Sequence, residues 1–94
     1  MMHQYNITQY SFNQAKKLGV KIYPSKDPNK KIDVYKNNKF VCSIGFNGMN
    51  DFPTYLQKKG KAYADQRRKL YKLRHEKDRH VLNSPGYYAD KILW

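Results

Sequence analysis

Two stretches of the chain alternate most clearly between apolar and polar residues. Lys31–Lys36 and Lys39–Phe46 are rich in Ile, Val, Phe and Tyr and are separated by Asn37-Asn38. Asparagine tolerates positive φ, which a two-residue primed turn demands, so the pattern predicts a β-hairpin. In the first run Ile32 and Val34 alternate with Asp33 and Tyr35. In the second, Phe40, Cys42, Ile44 and Phe46 share one face, which is expected to be the core wall. Val20–Tyr23 reads as a further short strand stopped by Pro24, and residues 24–31 carry turn residues and lysine, as an exposed loop does.

The remaining segments follow helical spacing. Ser11-Phe12-Asn13-Gln14 has the form of a capping box, followed by Phe12, Ala15 and Leu18 on one side and Gly19 as a stop, giving a short helix over 12–18. Residues 47–53 form a loop, and Thr54–Lys59 a helical turn before Gly60. A long helix is expected from Lys61 to Arg79, with Tyr63, Leu70 and Leu73 on its inner side and Tyr71 flanking. Asn83 to Gly86 breaks it, and Ser84-Pro85 suits the N-cap and first position of a last short helix, which turns Tyr88, Ile92 and Trp94 inward. Met1–Tyr10 shows no period and is expected to be a flexible arm. Residues 11–94 then form a single small basic domain of the α+β class: an antiparallel, hairpin-based sheet packed against one long helix, with a short terminal helix.

Composition changes this picture in two ways. The 94 residues allow one core, and its apolar content rests on nine Tyr, four Phe and one Trp as much as on aliphatics. Nineteen Lys and Arg against seven Asp and Glu leave a net charge of +12, a field that concentrates polyanions and acidic protein surfaces. A Lys-, Asn- and Tyr-rich coding bias with no partner is the alternative source of such charge. The lone Cys42 excludes an intrachain disulfide and fits a buried strand position. No apolar run approaches a membrane span, and neither a signal peptide nor a lipidation motif is visible, so synthesis in a cytoplasm is expected.

The candidate chemistry is cationic. Arg68, Lys72, His75 and Arg79 recur at i, i+4, i+7 and i+11, with Arg67, Lys69 and Arg74 widening the stripe. Guanidinium groups grip phosphates and carboxylates through paired hydrogen bonds, so Arg67, Arg68, Lys72 and Arg79 are the expected anion- or partner-binding set. The competing reading is the solvated face that any amphipathic helix presents. Tyrosines lie among the basic residues, as stacking platforms for bases or as the core edge of a small domain. No nucleotide-binding, zinc-finger or RNA-recognition motif accompanies them. His3, His75 and His80 lack metal-ligand spacing, and the carboxylates Asp51, Asp65, Glu76, Asp78 and Asp90 are scattered among cations. The expectation is a protein without cofactor, metal or enzymatic activity.

Several elements recur in a recognisable order: Ile44-Gly45-Phe46, then Met49-Asn50-Asp51-Phe52, a helix bearing Arg67, Tyr71 and Arg74-His75, and Gly86-Tyr87 closing on Leu93-Trp94. Over residues 31–94 this resembles a family of short basic proteins encoded by large DNA viruses and some phages. It departs from the family pattern at Ile44-Gly45, where members show Phe-Gly, at Pro85-Gly86, where they show Ala-Gly, and in lacking an aromatic shortly after Arg74-His75. The resemblance implies a virion component, such as a minor capsid or capsid-lining protein. Its partners would be viral coat proteins, packaged nucleic acid, or both. Rival readings are a free nucleic-acid-binding or genome-compacting factor and an inhibitor of a host protein. Within this set Arg74 and His75 are expected to anchor the terminal carboxylate or the Ser84–Gly86 turn, making them structural together with Gly86, Leu93 and Trp94.

Overall fold

The computed structural model describes residues 5–94. Asn37 and Asn38 take φ values of 53° and 65°, the left-handed geometry that closes a tight hairpin. The three strands are β1 (Lys21–Pro24), β2 (Lys30–Lys36) and β3 (Lys39–Phe46), ordered β1-β2-β3 and antiparallel throughout. The register places Ile22 opposite Val34, and Ile32 opposite Ile44. With Cys42 these side chains form the buried face of the sheet. Phe40 and Phe46, expected on that wall, are exposed. A bulge between Val34 and Tyr35 shifts the register toward the hairpin tip, where Phe40 meets the Tyr35 ring edge-on at 5.6 Å. At the other end Gly45 has φ 77° and breaks the alternation before Phe46, whose ring lies 4.1 Å from the Lys30 ammonium.

The helices are α1 (Gln9–Leu18), α2 (Phe52–Lys59), α3 (Lys61–Arg74) and α4 (Pro85–Ile92). The sheet is covered by the first and last of these, not by the longest. Ala15 of α1, Val20, and Tyr88, Ile92 and Leu93 of the final segment join the strand residues in one core. Three bonds tie α1 to the chain end: the Ser11 hydroxyl donates to the Ile92 carbonyl (2.9 Å), Gln14 donates to the Lys91 carbonyl (3.1 Å), and the Tyr10 hydroxyl donates to the Trp94 carbonyl (3.3 Å). Helix α3 instead lies against α2.

Four local expectations need correction. Helix α1 starts earlier than 12 because Thr8 is its N-cap, accepting from the Ser11 N–H, which frees the Ser11 hydroxyl for the Ile92 bond. The arm expected over residues 1–10 is not free where it is described: Tyr5 and Ile7 pack on the core, and the Tyr10 ring lies 5.3 Å from that of Phe52. Residues 1–4, with His3, lie outside the described residues. Helix α3 stops at Arg74 rather than Arg79, and residues 75–84 form successive turns. The stretch folds back until Gly86 meets Asp78, where a Cβ would lie 3.0 to 3.2 Å from Asp78 atoms, and Asn83 turns the chain at φ 64°. Finally, Tyr63, Leu70 and Leu73 point outward, 42%, 43% and 65% exposed, whereas Ala64 and Tyr71 are buried.

Helix starts at Asp51 and Ser84 follow ordinary capping chemistry, each side chain accepting a backbone N–H three residues on. Leu93 is fully buried, while Leu82 is largely exposed. Leu93→Ala should therefore lower stability by about 2–5 kcal/mol. Leu82→Ala should stay within about 0.5 kcal/mol of the parent, as surface changes do. Urea denaturation of the two variants side by side checks both.

Candidate functional site

The α2 N-terminus is built around a buried carboxylate. Lys31 and Asp51 are 3% and 1% exposed, and the ammonium lies 2.8 Å from Asp51 Oδ2. The Tyr5 hydroxyl donates to the same oxygen at 2.6 Å, and Oδ1 accepts the Thr54 N–H at 3.0 Å. The Lys31 ammonium also sits 4.9 Å from the Tyr5 ring centre. Burial by itself would raise the Asp51 pKa, but the adjacent Lys31 charge and these hydrogen bonds overcome it and hold the carboxyl below its usual range. Burial and the bond to Asp51 push the Tyr5 phenol up, so it remains a donor. Next to this pair the Phe52 N–H donates to the Leu93 carbonyl at 3.0 Å, fixing the chain end against α2.

The cationic stripe expected to face an anionic partner is largely turned inward. The Arg68 guanidinium lies 3.5 Å from the Phe52 ring centre and donates to the Tyr10 hydroxyl at 3.4 Å. Its Nε is buried with no hydrogen-bond partner among the described residues. Lys72 donates to Asp90 Oδ1 at 2.7 Å, and the Asp90 side chain is 0% exposed. Arg79 Nη1 lies 3.7 Å from Asp90 Oδ2, and its Nε and Nη2 donate to Glu76 at 2.9 and 2.7 Å. The inner face of α3 thus runs Ala64, Arg68, Tyr71, His75, at i, i+4, i+7 and i+11. Small Ala64 lets α2 approach, and the long stems of the cations cover apolar surface. The bulky aliphatics pointed to the opposite face.

Arg67, the fourth member of that set, is different. It lies 5.4 Å from the Tyr55 ring centre and forms no ion pair among the described residues. Arg74 is exposed and likewise unpaired. Neither Arg74 nor His75 grips the terminal carboxylate. Instead the His75 ring stacks on Tyr71 at 4.3 Å, and Tyr71 stacks on Trp94 at 4.4 Å with an interplanar angle of 8°. Burial, with Asp90 nearby, pushes the Tyr71 phenol up to about 12. Gly86 provides the close approach to Asp78, Leu93 fills the core, and Trp94 is half-buried at the end of the ring stack.

These residues border a groove of about 540 Å³, walled by the end of β3, the loop after it, Tyr55 of α2, the second half of α3, the start of α4 and Leu93-Trp94. That volume is in the range of small-ligand and side-chain pockets. Gly45, Met49, Asn50, Arg67, Tyr71, Arg74, His75, Gly86, Leu93 and Trp94, far apart in the chain, all line it. They are also residues of the stretches on which the family resemblance rests. Its lining is largely apolar, with Ala89, Phe46, Met49 and Trp94 over the buried Ile44 and Leu93, and its cations are Lys30, Lys31, Arg67 and Arg74. Lys31 is neutralised by Asp51. Among the described residues no Asp or Glu lines the groove, and Lys30, Arg67 and Arg74 form no ion pair. Such an arrangement offers apolar surface beside positive charge. Lys30 and Ile44 escaped the sequence reading as site residues because a strand position says nothing of which helix ends lie beside it.

A second depression, of about 590 Å³, lies over β1 and the hairpin beside Tyr23, Tyr35 and Asp33. Its carboxylate is already occupied, accepting from the Ser25 and Ser43 hydroxyls at 2.6 Å each and from the Lys26 N–H at 3.2 Å. The described residues hold no cluster of side chains suited to a metal ion, and none of their helices is long and apolar enough to cross a membrane. Cys42 is buried, and burial followed by the Asp33 charge raises its thiol pKa. Comparison with protein-family models, with curated proteins and with solved structures finds no match.

Two predictions follow from the ion pairs. The folded pKa of Asp51 lies below its unfolded value of 3.8, so its stabilising contribution is present above that pH and is lost as pH falls through the folded value. Lys31→Met should cost about 3–5 kcal/mol at neutral pH, because it strands a buried charge. It should also flatten or invert the dependence of the melting midpoint on pH below about 5, measured against the parent chain. Lys72→Ala, which uncovers Asp90, should cost about 1–3 kcal/mol. Lys69→Ala on the exposed side should change stability by less than about 0.5 kcal/mol in the same denaturation experiment.

Proposed function

We propose that this chain is a non-enzymatic structural component of a virus particle, holding an acidic partner surface in the groove beside Trp94. The observation that carries the proposal is the groove itself, whose lining among the described residues is largely apolar, holds Lys30, Arg67 and Arg74 outside any ion pair, and includes no Asp or Glu. Support for the viral assignment comes from the resemblance described above, most of whose signature residues line this groove. The role assigned to the helix face of Arg68, Lys72 and Arg79 passes to Lys30, Arg67 and Arg74, because the former are engaged with Phe52, Asp90 and Glu76. Coat subunits are the partner class this favours. A minor capsid or capsid-lining position suits a small domain that bridges larger neighbours.

A second reading, direct binding of packaged nucleic acid, is favoured by the net charge of +12. It uses the exposed lysines spread over the surface and needs no groove.

Quantitative mass spectrometry of purified particles tests the proposal. The expected result is a fixed copy number relative to the major coat protein that survives nuclease treatment and high-salt washing. Absence from particles would refute the structural role. Release by nuclease, together with a duplex mobility shift that weakens by about 0.9 log units per log unit of salt for each phosphate contacted, would establish the nucleic-acid reading instead.

A further inference from the structure

The groove's chemistry narrows the kind of occupant it can take. Its aromatic faces are mostly committed. Tyr71 is covered on one side by His75 and on the other by Trp94, at 4.3 and 4.4 Å. Tyr55 has Arg67 over its ring at 5.4 Å and Tyr63 beside it at 5.4 Å. A site for splayed bases needs free ring faces along a basic track, and here few remain. What the groove does offer is apolar surface above the buried Ile44 and Leu93: half-buried Ala89 and Trp94, and exposed Phe46 and Met49, methionine being an adaptable side chain common on peptide-binding surfaces. Around that surface the charge is one-sided, with Lys30 on the sheet side and Arg67 and Arg74 on the helix side. A second copy of this chain is a poor occupant, since two molecules at +12 repel each other.

We propose that the groove receives a peptide segment of an acidic partner protein, with one bulky apolar side chain seated against Met49, Ala89 and Trp94 and carboxylates on both sides of it. The flanking carboxylates meet Lys30 across the sheet edge and Arg67 and Arg74 across α3, where guanidinium groups can make paired hydrogen bonds. This inference rests on the reading of the chain as a partner-binding protein and specifies the partner's chemistry.

The chain's one tryptophan is Trp94, and it borders the groove, so its emission reports occupancy without a label. The probes are blocked heptapeptides with a central leucine, phenylalanine or methionine flanked on both sides by aspartates. Their controls carry a central alanine, or lysines in place of the aspartates, and an oligothymidylate serves as the nucleic-acid arm. The expected result is a saturable shift of Trp94 emission by at least one aspartate-flanked peptide, at roughly micromolar to sub-millimolar concentration. Affinity should fall about tenfold or more with central alanine, and likewise in the Arg67→Glu, Arg74→Glu double variant. The melting midpoint of that variant should stay close to the parent's, since both residues lack ion pairs. Three results would overturn the inference: no emission change up to millimolar peptide, equal binding of the lysine-flanked peptides, or displacement of the aspartate peptides by oligothymidylate at lower concentration. Particle composition is measured separately. Peptide binding by a protein absent from particles sinks the virion role alone, and a particle protein that ignores the peptides sinks the groove assignment alone.

Discussion

The ion pair between Lys31 and Asp51 is the constraint on which the rest of the molecule depends. Burying two charges is costly, and such a pair persists only where its geometry and additional hydrogen bonds offset desolvation. Here every partner of the pair belongs to a different part of the chain. Lys31 comes from β2, Tyr5 from the segment before α1, and the capped N–H of Thr54 from α2. The neighbouring bond from Phe52 to Leu93 adds the chain end. Gly45 makes room for this arrangement: a Cβ there would lie 2.9 Å from both a Lys31 side-chain carbon and a Leu93 methyl. One polar node thus sets the distance between the sheet, the α2–α3 pair and the closing segment, and the groove is the space those three leave between them.

The molecule also resolves how a chain so rich in lysine and arginine fills an interior with few aliphatic residues. It uses cations as packing material. Arg68 covers the Phe52 ring, Lys72 and Arg79 close over Asp90, and Lys31 lies against Tyr5. The stems contribute apolar contact while the charged ends find a ring or a carboxylate. Part of the formal charge is therefore neutralised inside the fold. Lys30, Arg67 and Arg74 at the groove differ from these cations in forming no ion pair among the described residues.

Much of the fold was legible because its signals are local. Asn37-Asn38, Gly19 and Ser84-Pro85 mark turns and helix ends through φ preference and side-chain capping, which neighbouring residues alone decide. The phase of α3 was not legible. Leu70 and Leu73 suggest an inner face, and only contact with α2 makes Ala64, Arg68 and Tyr71 the buried line. The end of α3 was hidden too, since no glycine or proline stands between His75 and Arg79 to mark it. The stretch 5–10 shows no period because its anchors are single long-range contacts, from Tyr5 before α1 and from Tyr10 in its first turn. At the site, Arg67, Arg74, His75 and Trp94 stood out as residues. That Arg68, Lys72 and Arg79 would be spent internally depended on a buried Asp90 that resembled every other scattered carboxylate.

The covering of the sheet by α1 and α4 has a consequence for the order in which the molecule can form. During synthesis α1 and the three strands emerge first, yet the apolar face they share lacks half its cover until α4 follows. The hairpin can close early, being a local structure with a favourable turn. The core cannot, because Tyr88, Ile92 and Leu93 reach it only after the intervening helices have been made. The nascent chain therefore passes through a stage in which a partly uncovered sheet and its open β3 edge face solvent, a state prone to pairing with other chains. The dense positive charge of the same sequence, whatever it does in the finished protein, keeps such chains apart while the last helix arrives.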